Sequence, residues 1–187
     1  MKILVLGGKR FLGIALVEAI INAGHTPTLF NRGLTNPDLF PDVTNLIGDR
    51  DGDMSALKRR KWDAVIDTNG YVPRVVTKSA ALLSNKCENY TFISSLSVYQ
   101  DFQTPDIAED YRLAQLDDPD NEDYTGDAYG SLKALCEYEI QRNFNGRVLV
   151  IRPGLIVGPN DPTDRFTYWP WRVSLGGKVL APAPPAA

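Results

Sequence analysis

Met1-Lys2-Ile3-Leu4-Val5-Leu6-Gly7-Gly8-Lys9-Arg10-Phe11-Leu12-Gly13 opens the chain and decides how the rest is read. Residues 3–6 form a short, unbroken apolar run, the pattern of a strand buried on both faces. Glycines follow at once. Apolar residues then recur at Phe11, Leu12, Ala15, Leu16, Ala19 and Ile20 with helical spacing, until Gly24 stops them. A strand, a glycine turn and a helix begin a βαβ unit, and the chain repeats that rhythm. Strands are expected over 26–30, 43–47, 64–67, 90–94 and 147–151, and helices over 54–60, 75–83 and 128–144. This alternation predicts an α/β protein with a doubly wound parallel sheet.

Composition narrows the class. The 187 residues suit one domain or slightly more, and a chain of this size buries about 70% of its unfolded surface without needing staples. A net charge of −3 argues against a nucleic-acid partner, which usually meets a basic face. Cys87 and Cys136 lie in no metal or redox spacing and fit a reducing compartment. The N-terminal apolar run is too short for a signal peptide, and no run reaches transmembrane length. Together these features place the protein in the cytoplasm.

Residues 106–127 break the rhythm; rich in Asp and Glu, they read as a long solvated loop with one turn of helix at most. In the helix that follows, Leu132, Leu135, Cys136, Ile140 and Phe144 supply the expected buried stripe, with Asp127 as the N-cap. A further helix is expected within 162–177, interrupted by Pro170. The aromatic run 166–171 suits packing against another protein surface better than stacking on a substrate. Residues 181–187 are a proline-alanine tail that cannot pack a core. The chain thus divides into a nucleotide-binding domain, 1–160, and a remnant with a tail, 161–187. His25, the only histidine, falls at a helix-to-strand turn and has no expected catalytic or metal role; no cluster of metal ligands occurs.

Two groups of residues carry chemistry. A turn between a first strand and a first helix aims free backbone N–H groups and the helix dipole at a ligand above it. Gly7 and Gly8 let a pyrophosphate approach the backbone, and Gly13 lets the helix pack close to the strand. Gly7, Gly8, Lys9, Arg10, Phe11, Leu12 and Gly13 are therefore the expected dinucleotide cradle. After the second strand, Asn31-Arg32-Gly33 offers no acid to a ribose; Arg32 suits a 2′-phosphate, which favours NADP over NAD. The second group is Tyr129-Gly-Ser-Leu-Lys133, which puts a phenol and an ammonium four residues apart on one helical face. A cation beside a phenol favours its ionised form and suits it to proton transfer.

On these motifs the chain resembles the extended short-chain dehydrogenases/reductases of the NAD-dependent epimerase/dehydratase group. That group carries glycine at the first, fourth and seventh places of the turn, here Gly7, Arg10 and Gly13. Arg10 in place of the middle glycine resembles an atypical branch whose turn reads Gly-Gly-x-Arg-Phe-x-Gly. The resemblance implies a Rossmann-like three-layer αβα fold with most of the substrate domain missing. It implies Ser95, Tyr129 and Lys133 as the catalytic set, with Lys133 also holding the cofactor ribose. It implies that Asp49 binds the adenine amino group, that Arg50 lies beside the ring, that Asn69 and Gly70 pass the ribose and phosphates, and that Pro153 lines the nicotinamide end. The expected activity is an NADP-dependent oxidoreduction, epimerisation or dehydration of a small hydroxyl or carbonyl compound, with nucleotide sugars among the candidates. The same sequence leaves open a non-catalytic cofactor-binding protein or a subunit completed by homodimerisation. RNA binding is a third reading, against which the acidic balance counts.

Overall fold

Six short strands build one parallel sheet: β1 (Lys2–Leu6), β2 (Thr26–Asn31), β3 (Thr44–Ile47), β4 (Ala64–Asp67), β5 (Asn89–Ile93) and β6 (Arg147–Ile151). Their spatial order is β3-β2-β1-β4-β5-β6. The first-read strand therefore lies inside the sheet, which is why residues 3–6 are apolar without interruption. The order reverses beside β1, so the carboxyl ends of β1 and β4 open a crevice there. The structure is a computed structural model and describes residues 1–180; the tail at 181–187 lies outside the described residues. Two compact units are present, Met1–Ile156 and a smaller one starting at Val157.

Register sorts the side chains onto two faces. Leu4, Val65, Tyr90 and Val148 align across β1, β4, β5 and β6. With Leu6 and Phe92 they pack beneath α2 (Pro73–Leu83) and α3 (Tyr129–Asn143), whose Val76, Ala80, Leu83, Cys136 and Ile140 complete the main core. Each such buried aliphatic or aromatic side chain stabilises the fold by about 1.5–3 kcal/mol. On the opposite face, Ile3, Val5 and Leu29 pack against Val17 and Ile20 of α1 (Leu12–Asn22). That helix covers only the β1–β2 side. Leu149 and Ile151 of β6 point to the same face and are 57% and 40% exposed.

Several expectations are corrected. Residues 54–60 form only a 3₁₀ turn, Ser55–Leu57, because the cations that follow are exposed and bury no stripe. Leu135 is not in the buried stripe of α3; it is 37% exposed, while Leu132, Cys136, Ile140 and Phe144 are buried. Asp127 does not cap α3, whose N-cap is Ala128 in a helical conformation with no side-chain cap. The loop 106–127 is not solvated throughout: Ile107, Tyr111 and Leu113 pack on Val98, Tyr99 and Ala134. In the smaller unit, α4 spans Tyr168–Ser174, and all its side chains are at least partly exposed. Pro170 is its third residue, where a missing amide forfeits no intrahelical bond. No helix among the described residues is long and apolar enough to cross a membrane.

Candidate active site

The glycine turn is built as a cradle. Gly7 and Gly8 have φ of +109° and +96°, a region that favours glycine. A Cβ on Gly13 would sit 2.8 Å from the Gly8 Cα, so only glycine lets α1 start this close to β1. Phe11 carries φ +41° and ψ −115°, an unfavourable backbone for a bulky residue that costs about 1–3 kcal/mol. The amides of Lys9, Arg10 and Phe11 find no acceptor among the described residues and face the start of an eleven-residue helix. Arg10 and Arg32 are exposed cations beside this turn.

Lys9 departs from expectation. It is 5% exposed, and its ammonium donates to the Pro37 carbonyl at 2.6 Å, so its charge is not presented to a phosphate. Asn31 is likewise occupied: its amide donates to Asn45 Oδ1 at 2.8 Å and to the Gly7 carbonyl at 3.3 Å. It thereby braces the turn instead of standing free. Asp49 remains exposed and accepts from the Asp51 amide at 2.9 Å.

Arg50 departs further. Its guanidinium is buried in a two-pronged bond with Asp67, at 2.8 and 2.5 Å, and also donates to Ser79 Oγ at 2.9 Å. The Tyr90 hydroxyl donates to the same carboxylate at 2.7 Å. Burial alone would push the Asp67 carboxyl up; the Arg50 charge and these bonds hold it below the usual range. Arg50 is thus a core residue and not a cation laid beside an adenine ring. Asp67 also accepts from the Asn69 amide at 3.0 Å, which fixes the turn through Gly70 at the tip of β4.

Lys133 binds that same turn. Its ammonium donates to the Gly70 carbonyl at 2.8 Å and the Ile93 carbonyl at 2.7 Å, and it lies 4.0 Å from the Phe92 ring centre. Burial pushes its pKa down to about 8, against partial support from the Asp67 charge. One helical turn earlier, half-buried Tyr129 projects from the first residue of α3. Gly130 explains the close approach: a Cβ there would lie 2.0 Å from the Ser97 carbonyl. The start of α3 therefore abuts the 3₁₀ turn Leu96–Val98, which Ser95 caps by accepting the Ser97 amide at 3.1 Å. Ser95, Tyr129 and Lys133 are in this way carried by segments in direct contact. Pro153 joins them, its carbonyl accepting the Leu96 amide at 2.9 Å.

Other residues of the site escaped the sequence reading. Tyr71 stacks on Tyr124 at 5.0 Å, lies 6.5 Å from Tyr129 and faces the Lys133 ammonium at 5.4 Å. Burial, with Tyr129 nearby, raises its pKa. Glu137, 2% exposed, accepts from Ser94 Oγ and from Arg152 Nη2 at 2.7 Å. A glutamate four residues after Lys133, on the same helical side as that lysine and beside the buried Cys136 and Ile140, was the available signal. Beside β6 a cleft of about 690 Å³ is lined by Leu96, Tyr99, Phe102, Ile107, Ile151 and Arg152, among others.

No protein-family model matches the chain. Over 114 residues it is 33% identical to the chloroplast stem-loop binding protein of 41 kDa b from Arabidopsis thaliana, covering 52% of this chain and 30% of that protein. The enzyme WbmG of Bordetella bronchiseptica, in complex with NAD, aligns with a TM-score of 0.65 at 20% identity, over 85% of this chain and 56% of that one. The human epimerase family protein SDR39U1 with NADPH gives a TM-score of 0.65 at 20% identity, over 95% and 61%. The chain spans less than two thirds of the length of each. It has the Rossmann-like parallel αβα fold of short-chain dehydrogenase/reductase and epimerase-family proteins.

Proposed function

We propose that the chain binds NADP(H) at the glycine turn and transfers protons at a substrate hydroxyl or carbonyl through Ser95, Tyr129 and Lys133. The observation that carries this reading is the approach of α3 to the β5 tip through Gly130, with Lys133 bridging the tips of β4 and β5. The cradle fits a dinucleotide: its glycines leave the room a Cβ would fill, its amides are free, and its exposed cations are Arg10 and Arg32. Arg32, in the acid-free segment Asn31-Arg32-Gly33 that ends β2, suits a 2′-phosphate. Asp49, Asn69, Gly70 and Pro153 line the remainder of the crevice.

Once bound, the nicotinamide supplies hydride transfer, chemistry that belongs to the cofactor. The protein's own part is at the substrate oxygen. Ser95 donates a hydrogen bond there and stabilises developing charge. Tyr129 gives or takes the proton at that oxygen. Lys133 places a positive charge behind the phenol and holds the β4 and β5 tips together. The reading is of a cytoplasmic enzyme for a small molecule. Nucleotide sugars are the first class to test, since WbmG is seen with NAD and UDP together.

Titration by nicotinamide fluorescence tests the cofactor, and absorbance assays over a panel of sugars and aldehydes test the chemistry. NADPH is expected to bind at least about tenfold more tightly than NADH. Tyr129→Phe is expected to lower turnover by about 100-fold or more while NADPH still binds. Tighter NADH binding would remove the 2′-phosphate from the proposal, and full activity in Tyr129→Phe would remove the tyrosine.

A further inference from the structure

Tyr129 is the first residue of α3. A helical side chain ordinarily lies back over the turn before it, and at this position no such turn exists. The helix therefore fixes where the phenol starts but not where it points. Tyr71 lies against it instead, with ring centres 6.5 Å apart and planes tilted by 40°. Tyr71 has two further partners. Its ring faces the Lys133 ammonium at 5.4 Å, and that ammonium also binds the Gly70 carbonyl, one residue earlier, at 2.8 Å. Tyr124 stacks on the same ring at 5.0 Å, with planes 23° apart. All three contacts are made by the Tyr71 ring and none by its hydroxyl. The Tyr124 end is anchored in turn. Arg74, in the first turn of α2, holds Glu122 in a two-pronged bond at 2.8 and 2.9 Å and also donates to both oxygens of Asp51. Lys78 joins Asp51 at 3.0 Å. Exposed ion pairs hold weakly one at a time, but here two cations and two acids share one network. Around Tyr124 the chain braces itself: Asn121 Oδ1 accepts the Asp123 amide at 2.8 Å, and Asp123 Oδ1 accepts the Thr125 amide at 2.9 Å.

We propose that Tyr71 is a positioning residue for proton transfer: its ring fixes the orientation of the Tyr129 phenol, and the stack with Tyr124 holds that ring in place. This rests on the reading of Tyr129 as the proton carrier. The role belongs to the ring, because the ring meets the Lys133 charge and both neighbouring phenols. A phenylalanine ring can make each of these contacts, and an alanine methyl makes none of them. Proton transfer depends steeply on geometry: a reacting group misplaced by about 1 Å can lose about 100-fold in rate. Cofactor affinity depends on the glycine turn and is not set by where the phenol points. The Arg74–Glu122 pair acts one step further out, by keeping Tyr124 over Tyr71. A segment of the acidic loop thus supports the proton carrier from outside α3.

Two measurements test this. In protein labelled with fluorotyrosine, the Tyr129 fluorine resonance is identified by its loss in Tyr129→Phe. It is expected to keep its wild-type line shape in Tyr71→Phe and to broaden or split in Tyr71→Ala, where the phenol samples several orientations. In absorbance assays, Tyr71→Ala is expected to lower kcat by about tenfold or more while KM and NADPH affinity stay within about threefold. Tyr71→Phe should restore kcat to within about twofold of the wild type. In the Tyr129→Phe background, Tyr71→Ala should lower turnover no further, because it acts through the missing hydroxyl. The proposal is overturned if Tyr71→Ala keeps the wild-type line shape, if Tyr71→Phe is as impaired as Tyr71→Ala, or if NADPH affinity falls in parallel with kcat. Full activity in Tyr129→Phe removes the proton carrier, and the fluorine resonance keeps that failure distinct from this one. Should Tyr71→Ala not fold, Tyr124→Ala decides: it removes a 45% exposed ring, and an unchanged Tyr129 line shape overturns the proposal.

Discussion

Lys133 sits where burial and hydrogen bonding oppose each other. Its ammonium reaches two carbonyls and an aromatic face, yet burial pushes its pKa to about 8, below the ordinary 10.5. Between those values the unfolded chain holds a proton that the folded chain has released, so stability rises with pH across that window. Below about pH 8 both states are protonated and the cost of burying the charge is fully present. The unfolding free energy from urea titrations at pH 8 to 10 should therefore rise in the wild type relative to Lys133→Met, by about 2 kcal/mol. No relative rise would mean that the ammonium is better solvated than its surroundings indicate. The Tyr129–Lys133 spacing was legible because four residues in a helix define a face whatever lies around it. The fates of Lys9 and Arg50 were not legible, because Pro37 and Asp67, which receive those cations, are distant in sequence.

Helix α3 carries the site on its first turns and anchors it on the next. Glu137 ties the helix to Ser94 at the tip of β5 and to Arg152 just past β6. Arg152 in turn donates to the Tyr99 hydroxyl at 3.2 Å and the Glu109 carbonyl at 2.7 Å, which pins the acidic loop to the sheet. Glu137→Gln keeps the volume but removes the charge, leaving a largely buried guanidinium without its counter-ion. The expected loss is about 3 kcal/mol, read as a lower urea midpoint. An unchanged midpoint would mean that the pair contributes no net stability. The extent of α3 was readable from its apolar periodicity to within a residue at each end. Its cap was not, because Asp127 is a good capping residue by type but makes no cap here.

The sheet as a whole is unevenly covered. Phe92 lies under α2 and α3 at 0% exposure, whereas Leu149 of the neighbouring strand faces the uncovered side at 57%. Phe92→Ala should cost about 3–5 kcal/mol. Leu149→Ala should change stability by no more than about 0.5 kcal/mol. Chemical denaturation of the two variants measures the contrast, and a large loss for Leu149→Ala would mean that something covers that face in solution. The six strands, helices α1 to α3, the parallel class and the glycine turn were present in the amino-acid order, because periodicity and backbone sterics act over a few residues. The coverage of each face and the Arg50–Asp67 and Glu137–Arg152 pairs came only with folding. A charge's environment depends on partners that the sheet brings from distant parts of the chain, and a net charge of −3 records their sum without their places.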